Sequence, residues 1–335
     1  MGIGLYRDLA FFATVMKVVF IGTSEFGVPA LSALVASPLH SVVGVITQPD
    51  RPTGRQQKLT ASPIKEAAFK HHLKIFQPEQ IKRESVLKQI AYLQPDVIVV
   101  AAYGQILPKA ILDLPHYGCL NLHASLLPKY RGASPIQSAI LRREKKSGVT
   151  VMWMNEGLDT GDVLLAEATP IKTDDTAQTL HDRLAQIGAK ALLISLDRLK
   201  KGKATRTAQS DLGIPPSYAK KLTKEDGRID WSKSKRDLDA HIRAMTPWPS
   251  AYTWVPDNTS GGNDQKMLKI FTTIFSRRAK GKPGEVIRVD NHGVLVSTGG
   301  TGGLLLREVQ LEGKKRMHAA EFARGFNLAV GTILG

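Results

Sequence analysis

The chain has 335 residues, 42% of them hydrophobic and 23% charged. That is apolar material for two cores, and it excludes an intrinsically disordered chain. The single cysteine, Cys119, excludes an intrachain disulfide framework and any multi-cysteine metal site. A formal charge of +16 points to a polyanionic partner. Residues 218–335 hold 20 Lys and Arg against 12 Asp and Glu, and the longer stretch before them holds 26 against 18, so the C-terminal third is the more basic per residue.

In chain order, the apolar run Leu9–Gly22 falls short of the roughly 20 residues that span a bilayer, and Lys17 interrupts it. No small-residue cleavage site closes it as a signal peptide. The expectation is a soluble, cytoplasmic protein without membrane attachment, whose fold starts at Met16. Residues 1–15 read as an extension outside that fold. Lys17–Gly22 is a buried strand, Phe26–Val35 a helix and Ser41–Thr47 a second strand. Gln48–Pro63 is rich in turn residues; a helix near Ile64–His72, a short strand Lys74–Phe76 and a helix Ser85–Leu93 follow. Asp96–Ala102 and Gly118–Leu122 are strands, the first apolar without interruption. Beyond a helix at Pro135–Arg142 come strands Gly148–Met154 and Val163–Thr169 and a long amphipathic helix, Ala177–Leu199. Strands that are apolar throughout and alternate with helices predict a Rossmann-like α/β domain, 16–199, with a mostly parallel sheet covered on both faces.

Residues 200–217 are polar and basic and lack periodicity, as a linker does. Over 218–335 the pattern changes: a helix at Lys235–Met245, then short alternating runs at Ala251–Val255, Met267–Ile274, Gly284–Val289, Val294–Ser297 and Leu304–Val309. These predict a small β-barrel of the oligonucleotide-binding (OB) kind.

Several local signals carry little. Gly22-Thr-Ser-Glu-Phe-Gly27 lacks the middle glycine of a dinucleotide-binding turn, and Gly299-Gly-Thr-Gly-Gly303 lacks the P-loop lysine and reads as a hairpin turn. None of the nine histidines stands in a zinc-binding spacing, so no metal is expected. Cys119, in an apolar run, reads as an inert buried thiol.

The stretch that carries chemistry is Asn121-Leu-His-Ala-Ser-Leu-Leu-Pro-Lys-Tyr-Arg-Gly132. On a strand, Asn121 and His123 share a face, which presents an amide donor and an imidazole together at a strand's carboxyl end. In open α/β sheets ligands bind at that end. Acyl transfer needs donors aimed at a developing oxyanion and a group that carries a proton at neutral pH. Gly157-Leu-Asp-Thr-Gly-Asp162 is a tight polar turn between two strands; its carboxylates, Asp159 and Asp162, are of a kind that orients an imidazole.

Asn121-x-His123-x-Ser125-Leu-Leu-Pro128 with Gly157-Leu-Asp159-Thr-Gly161 downstream resembles the signature of the folate-dependent formyltransferases. The Gln48-Pro-Asp-Arg-Pro-Thr-Gly-Arg55 loop, Ala102-Tyr-Gly-Gln-Ile-Leu-Pro108, and Arg228-Ile-Asp-Trp231 with Pro247-Trp-Pro249 resemble the branch that acts on methionyl-tRNA. The likeness runs from about Met16 to near the C-terminus and leaves residues 1–15 without a counterpart. Ala124 stands where many members carry glycine.

The resemblance implies that Asn121, His123 and Asp159 are the catalytic trio. It also implies that Ser125, Leu126, Leu127 and Pro128 bind the folate, with residues 100–107 lining the pterin pocket. The implied formyl donor is 10-formyltetrahydrofolate and the implied partner is initiator methionyl-tRNA. Arg55 is its strongest candidate contact, with Arg51 and Lys58 beside it and 218–335 as a tRNA-binding domain; no obligate protein partner is implied. A formyltransferase for a nucleotide-sugar amine is the alternative, and the Pro49–Arg55 loop argues against it because a sugar gives no reason for that loop. A purine-pathway formyltransferase would end near the linker. A non-catalytic RNA-binding module would leave the Asn/His/Asp set unexplained.

Overall fold

The computed structural model describes residues 15–54, 57–256 and 265–335. Its elements in chain order begin with strand β1 (Met16–Gly22), helix α1 (Val28–Ala36), β2 (His40–Ile46), β3 (Arg51–Thr53), β4 (Lys58–Thr60), α2 (Pro63–Lys70) and β5 (Ile75–Phe76). Then come α3 (Glu84–Tyr92), β6 (Val97–Ala101), α4 (Lys109–Leu112), β7 (Cys119–His123), β8 (Arg131–Gly132), α5 (Pro135–Leu141), β9 (Lys146–Trp153), β10 (Val163–Pro170) and α6 (Ala177–Lys200). The remainder is β11 (Tyr218–Ala219), α7 (Lys235–Met245), β12 (Ala251–Pro256), β13 (Gln265–Ser276), β14 (Val286–Asp290), β15 (Gly293–Ser297), β16 (Gly303–Leu311), β17 (Met317–His318) and α8 (Ala319–Phe326). The chain is mixed α/β, with a mostly parallel sheet in its N-terminal part and a separate antiparallel sheet in its C-terminal part.

Two compact units arise from interleaved segments. Among the described residues, one comprises the chain to His123, Thr150–Ala166 and Ala185–Leu212; the other comprises Ala124–Val149, Glu167–Leu184 and Gly213–Gly335. The seven-stranded sheet has the order β10-β9-β7-β6-β1-β2-β5. β1 pairs in parallel with β2 and β6, β6 with β7 and β2 with β5, whereas β9 runs antiparallel to β7. Every residue of β6, and all of β1 except Lys17, is buried. Burial on both faces is why these strands read as unbroken apolar runs. Chain order reverses direction across the sheet between β1 and β6, the switch point where such sheets open a crevice at their carboxyl ends.

The stretch 48–63 is more regular than its turn residues suggest. Arg51–Thr53 and Lys58–Thr60 pair as a short antiparallel hairpin, Arg51 opposite Thr60. Thr53, Leu59 and Thr60 accept extended backbone, and Pro52 sits in a two-stranded ribbon where a missing N–H is tolerated. Cys119 is buried, and desolvation, with a smaller contribution from Asp113, pushes its thiol up to about 12, so it is inert at neutral pH. Among the described residues no helix is long and apolar enough to cross a membrane. Residues 1–14 of the expected extension lie outside the described residues, and Val15 is exposed.

In the second unit the antiparallel sheet runs β12-β13-β16-β15-β14, with β17 on the flank of β16. Its buried side chains include Leu268, Ile270, Val286, Val296, Leu304 and Leu306. The turn 298–302 joins β15 and β16 as a hairpin, as its glycines predict. Helix α7 packs on β13 and α8 on β16. The Ser234 hydroxyl caps α7 at the Asp237 N–H, and the His318 ring caps α8 at Ala320. The α8 helix has no counterpart in the sequence reading: it is only eight residues long and carries Gly325, a poor helix former.

A buried aspartate ties the middle of the chain to this unit's helix. Asp175, 3% exposed, receives a bidentate pair from Arg183 (3.0 and 2.5 Å), the Lys172 N–H (2.7 Å) and the Thr179 hydroxyl (3.0 Å). Arg243 of α7 donates to the Asp175 carbonyl at 2.9 Å and pairs with Asp239, which accepts from Thr273 of β13. Burial opposes ionisation of Asp175, but its hydrogen bonds from Arg183, Lys172 and Thr179 outweigh it and hold the carboxyl below the usual carboxylate range. A pKa lowered on folding contributes stability in full above the unfolded value of about 4, and that contribution is lost as pH falls through the folded value. Asp175→Asn should therefore cost about 3 kcal/mol in urea denaturation at pH 7. Its deficit relative to wild type should shrink below about pH 4 as the wild-type carboxyl protonates.

Candidate active site

β7 lies between β6 and β9, with Asn121 opposite Val100 on one side and Met152 on the other, and His123 opposite Thr150. Leu120 and Leu122 are buried, and the intervening residues Asn121 and His123 share the other face of the pleat. Both approach a single carboxylate that enters from 38 residues downstream. Asn121 Nδ2 donates to Asp159 Oδ1 at 3.3 Å. His123 Nδ1 lies 3.6 Å from Asp159 Oδ2, beyond hydrogen-bond length but within ion-pairing reach. The His123 and Asp159 side chains are 6% and 14% exposed, so the pair acts in a medium of reduced dielectric.

Asp159 is delivered by the turn between β9 and β10, and the turn is built from its own residues. Asn155 Oδ1 accepts from the Gly157 N–H (3.1 Å) and the Thr160 hydroxyl (2.8 Å), an Asx arrangement that closes the loop. Asp159 itself has φ +52°, the left-handed region that a non-glycine residue adopts at a cost of about 1–2 kcal/mol. Gly161 runs so close to the neighbouring strand that a Cβ there would overlap the Trp153 carbonyl oxygen. The Trp153 N–H donates to the Asp162 carbonyl at 2.9 Å and seals the turn's base. Asp162, the second carboxylate of the motif, faces away from this pair: it lies 3.8 Å from Arg206, whose guanidinium covers the Trp153 ring at 4.3 Å.

The stretch 203–212, read from sequence as linker, is ordered along this turn. Thr207 exchanges two backbone hydrogen bonds with Val163 (2.8 and 3.1 Å). Gln209, 5% exposed, donates from Nε2 to the carbonyls of Asp159 (2.8 Å) and Gly161 (2.9 Å). Asn155, Arg206 and Gln209 were absent from the sequence reading. The Asn155-x-Gly157 spacing is an Asx-turn signal that could have flagged the first; nothing local marks the other two.

The loop after β6 is fixed by polar contacts. Thr23 and Gln48 side chains donate to the Tyr103 carbonyl at 3.1 and 3.2 Å, and Gln105 accepts from the Ile81 N–H at 2.9 Å. Ser125, Leu126, Leu127 and Pro128 form the turn that follows β7 in the chain. Ser125 is buried and donates to the Lys129 carbonyl at 2.6 Å; Leu127 and Pro128 are buried and Leu126 is partly exposed. Arg51 and Lys58 are exposed on the β3–β4 hairpin, Arg51 paired with Glu79 at 3.0 Å. Arg55 lies outside the described residues. Among the described residues no group of three or more His, Cys, Asp or Glu could hold a metal ion.

An amide, an imidazole and a carboxylate converging at a strand's carboxyl end can polarise a carbonyl and relay a proton without a nucleophilic side chain. Residues 16–196 match the formyl transferase family, and residues 221–327 match the formyl transferase C-terminal domain. The chain belongs to the formyl transferase family. It is 54% identical over 322 residues to the methionyl-tRNA formyltransferase of Methylacidiphilum infernorum, covering 96% of this chain and 98% of that one. It is 46% identical over 320 residues to the methionyl-tRNA formyltransferase of Geotalea uraniireducens, with the same coverage. Among solved structures, the N-formyltransferase of Helicobacter canadensis, in complex with folinic acid and dTDP-3-aminofucose, shares the fold. Its TM-score is 0.60 at 19% identity, over 87% of this chain and 99% of that one.

The turn of this formyl transferase is intolerant of added bulk at Gly161. Gly161→Ala should lower the melting temperature by several degrees, for a loss of about 2–3 kcal/mol. It should also abolish formyl transfer, because relieving the overlap moves the Asp159 main chain. Calorimetry and a formylation assay check the two effects.

Proposed function

We propose that this enzyme transfers the formyl group of 10-formyltetrahydrofolate to the α-amine of initiator methionyl-tRNA, the modification that marks a tRNA for translation initiation. The observation that carries this reading is the convergence of Asn121 and His123 on the Asp159 carboxylate, in a chain 54% identical along nearly its whole length to a protein named methionyl-tRNA formyltransferase. The amine nitrogen attacks the formyl carbon, whose oxygen takes up negative charge. Asn121 Nδ2–H and the His123 ring stabilise that tetrahedral oxyanion. Asp159, acting through water, helps move the proton from the attacking nitrogen; N10 of the folate is protonated as its bond to the formyl carbon breaks. The products are formylmethionyl-tRNA and tetrahydrofolate, with no covalent intermediate on the protein and no metal in the scheme.

In this reading Ser125, Leu126, Leu127 and Pro128 contact the folate, with residues 100–107 lining its pterin pocket; the folinic acid bound by the Helicobacter canadensis relative supports a folate donor of this class. Residues 16–199 are the catalytic domain, 200–217 the linker and 218–335 a tRNA-binding domain whose antiparallel strands form an OB-like barrel. Residues 1–15 are dispensable. The exposed cations Arg51 and Lys58 support a role for the hairpin at the RNA, and Arg55 is the proposed main contact.

Single-turnover formylation of charged initiator tRNA, run beside free sugar amines, tests the assignment. Asn121→Ala, His123→Ala and Asp159→Ala should each lower the rate by about 100-fold or more, while tRNA and folate binding stay within a few-fold. Near wild-type rates in any two of them would sink the site.

Arg55→Ala probes the RNA half. The kcat/KM for charged tRNA should fall roughly 5- to 150-fold, with folate affinity unchanged. The slope of log affinity against log salt should also become shallower by about one phosphate contact. Unaltered tRNA kinetics would favour the sugar-amine alternative.

A further inference from the structure

We infer that Gln209 is a positioning residue for formyl transfer, acting through the main chain of Asp159; the inference rests on the assignment of Asp159 to the reaction. Gln209 lies in a polar segment between two family domains, where a side chain has no reason to be buried. Yet it is 5% exposed, and both hydrogens of its amide nitrogen are used, one on the Asp159 carbonyl at 2.8 Å and one on the Gly161 carbonyl at 2.9 Å. Those two carbonyls belong to the residue that must present the carboxylate and to the glycine two positions after it. An amide nitrogen is the neutral side-chain group that offers two hydrogens from one atom; a carboxylate of the same shape offers none.

The clamp meets a conformational need. Asp159 sits at φ +52°, which an aspartate relaxes towards the right-handed region unless its flanking peptides are held. Asn155 ties down Gly157 and Thr160, on either side of Asp159, and Gln209 ties down the main chain from Asp159 to Gly161. Gln209 is itself anchored nearby: Thr207 is bridged to Val163, and Arg206 rests on Trp153. The 3.3 and 3.6 Å distances from Asp159 to Asn121 and His123 are near the limit of useful contact, so a shift of one ångström in the turn breaks the constellation.

The test is a double-mutant cycle on the full-length enzyme with Gln209→Ala, Gln209→Met, Asp159→Ala and the Gln209→Ala/Asp159→Ala pair. Methionine keeps the volume without the donors, so it serves where alanine leaves a cavity that unfolds the turn. The single-turnover rate should fall roughly 10- to 100-fold in both Gln209 variants. KM for charged tRNA and for the formyl donor should stay within about threefold, the split expected of a residue that acts only on the chemical step. In the Asp159→Ala background, Gln209→Ala should cost less than about threefold more, because its route of action is already gone. Wild-type rates in folded Gln209 variants beside an inactive Asp159→Ala would overturn the inference alone. So would a full additional loss in the double variant, which is the mark of a general structural role. An active Asp159→Ala would instead overturn the reaction scheme.

Discussion

The chemistry proposed for this chain depends on one carboxylate arriving, from a flexible kind of chain, beside two groups that the sheet holds rigidly. Asn121 and His123 are placed by β7, an interior strand of a sheet whose neighbouring strands are buried on both faces, so their positions follow from core packing. Asp159 has no such support. It stands in a turn with a strained backbone angle, 61% exposed Leu158 before it and an obligatory glycine two residues after it. Every further feature of the turn compensates for that difference.

Magnitudes show how the compensation works. A left-handed aspartate costs about 1–2 kcal/mol, and a neutral hydrogen bond returns a net of about 0.5–1.5 kcal/mol. One contact leaves the turn near balance. The contacts seen are the two to Asn155 Oδ1, the Trp153–Asp162 main-chain bond and the two from Gln209, and together they favour the bound geometry by several kcal/mol before their own ordering cost. Asn155 and the glycines are local to the motif; Gln209 comes from 50 residues beyond Asp159. A site that must be rigid is thus finished by a segment whose composition reads as linker.

Which features were legible follows from the range of the interactions that create them. Apolar runs marked β1, β6 and β7, that of β6 unbroken, and the 3.6-residue period marked α6 and α7, to within a residue or two of their observed ends. These elements are set by burial of their own side chains, a property of the local string. Asn121 and His123 were recognisable as a pair because strand geometry alone puts them on one face. Their approach to Asp159 was suggested by resemblance and not by any local rule, since it depends on β9 lying antiparallel to β7. The β3–β4 hairpin was obscured by Pro52 and Gly54, which signal turns whether or not the flanking residues pair. Gln209 was illegible: its burial is decided entirely by carbonyls elsewhere in the chain, and a glutamine in polar sequence carries no period.

The positive charge bears on the same question of what is free to act. Formal charge overstates what a polyanion would meet, since several cations already sit in ion pairs, among them Arg51 with Glu79, Lys65 with Asp50 and Lys129 with Glu144. The pairs differ in what breaking them costs. Lys65–Asp50 at 2.6 Å is partly buried and shared with Gln77, and it belongs to the base of the hairpin. Arg51–Glu79 is more than half exposed on both sides, where such a pair is worth about 0–1 kcal/mol. An RNA phosphodiester offers the Arg51 guanidinium a bidentate partner of the same charge as the carboxylate it would leave. Exchange at Arg51 is therefore close to free, whereas exchange at Lys65, on α2, would release Asp50 at the base of the hairpin. Among the described residues there, electrostatic availability, and not the count of basic residues, sets Arg51 and the exposed Lys58 apart from Lys65.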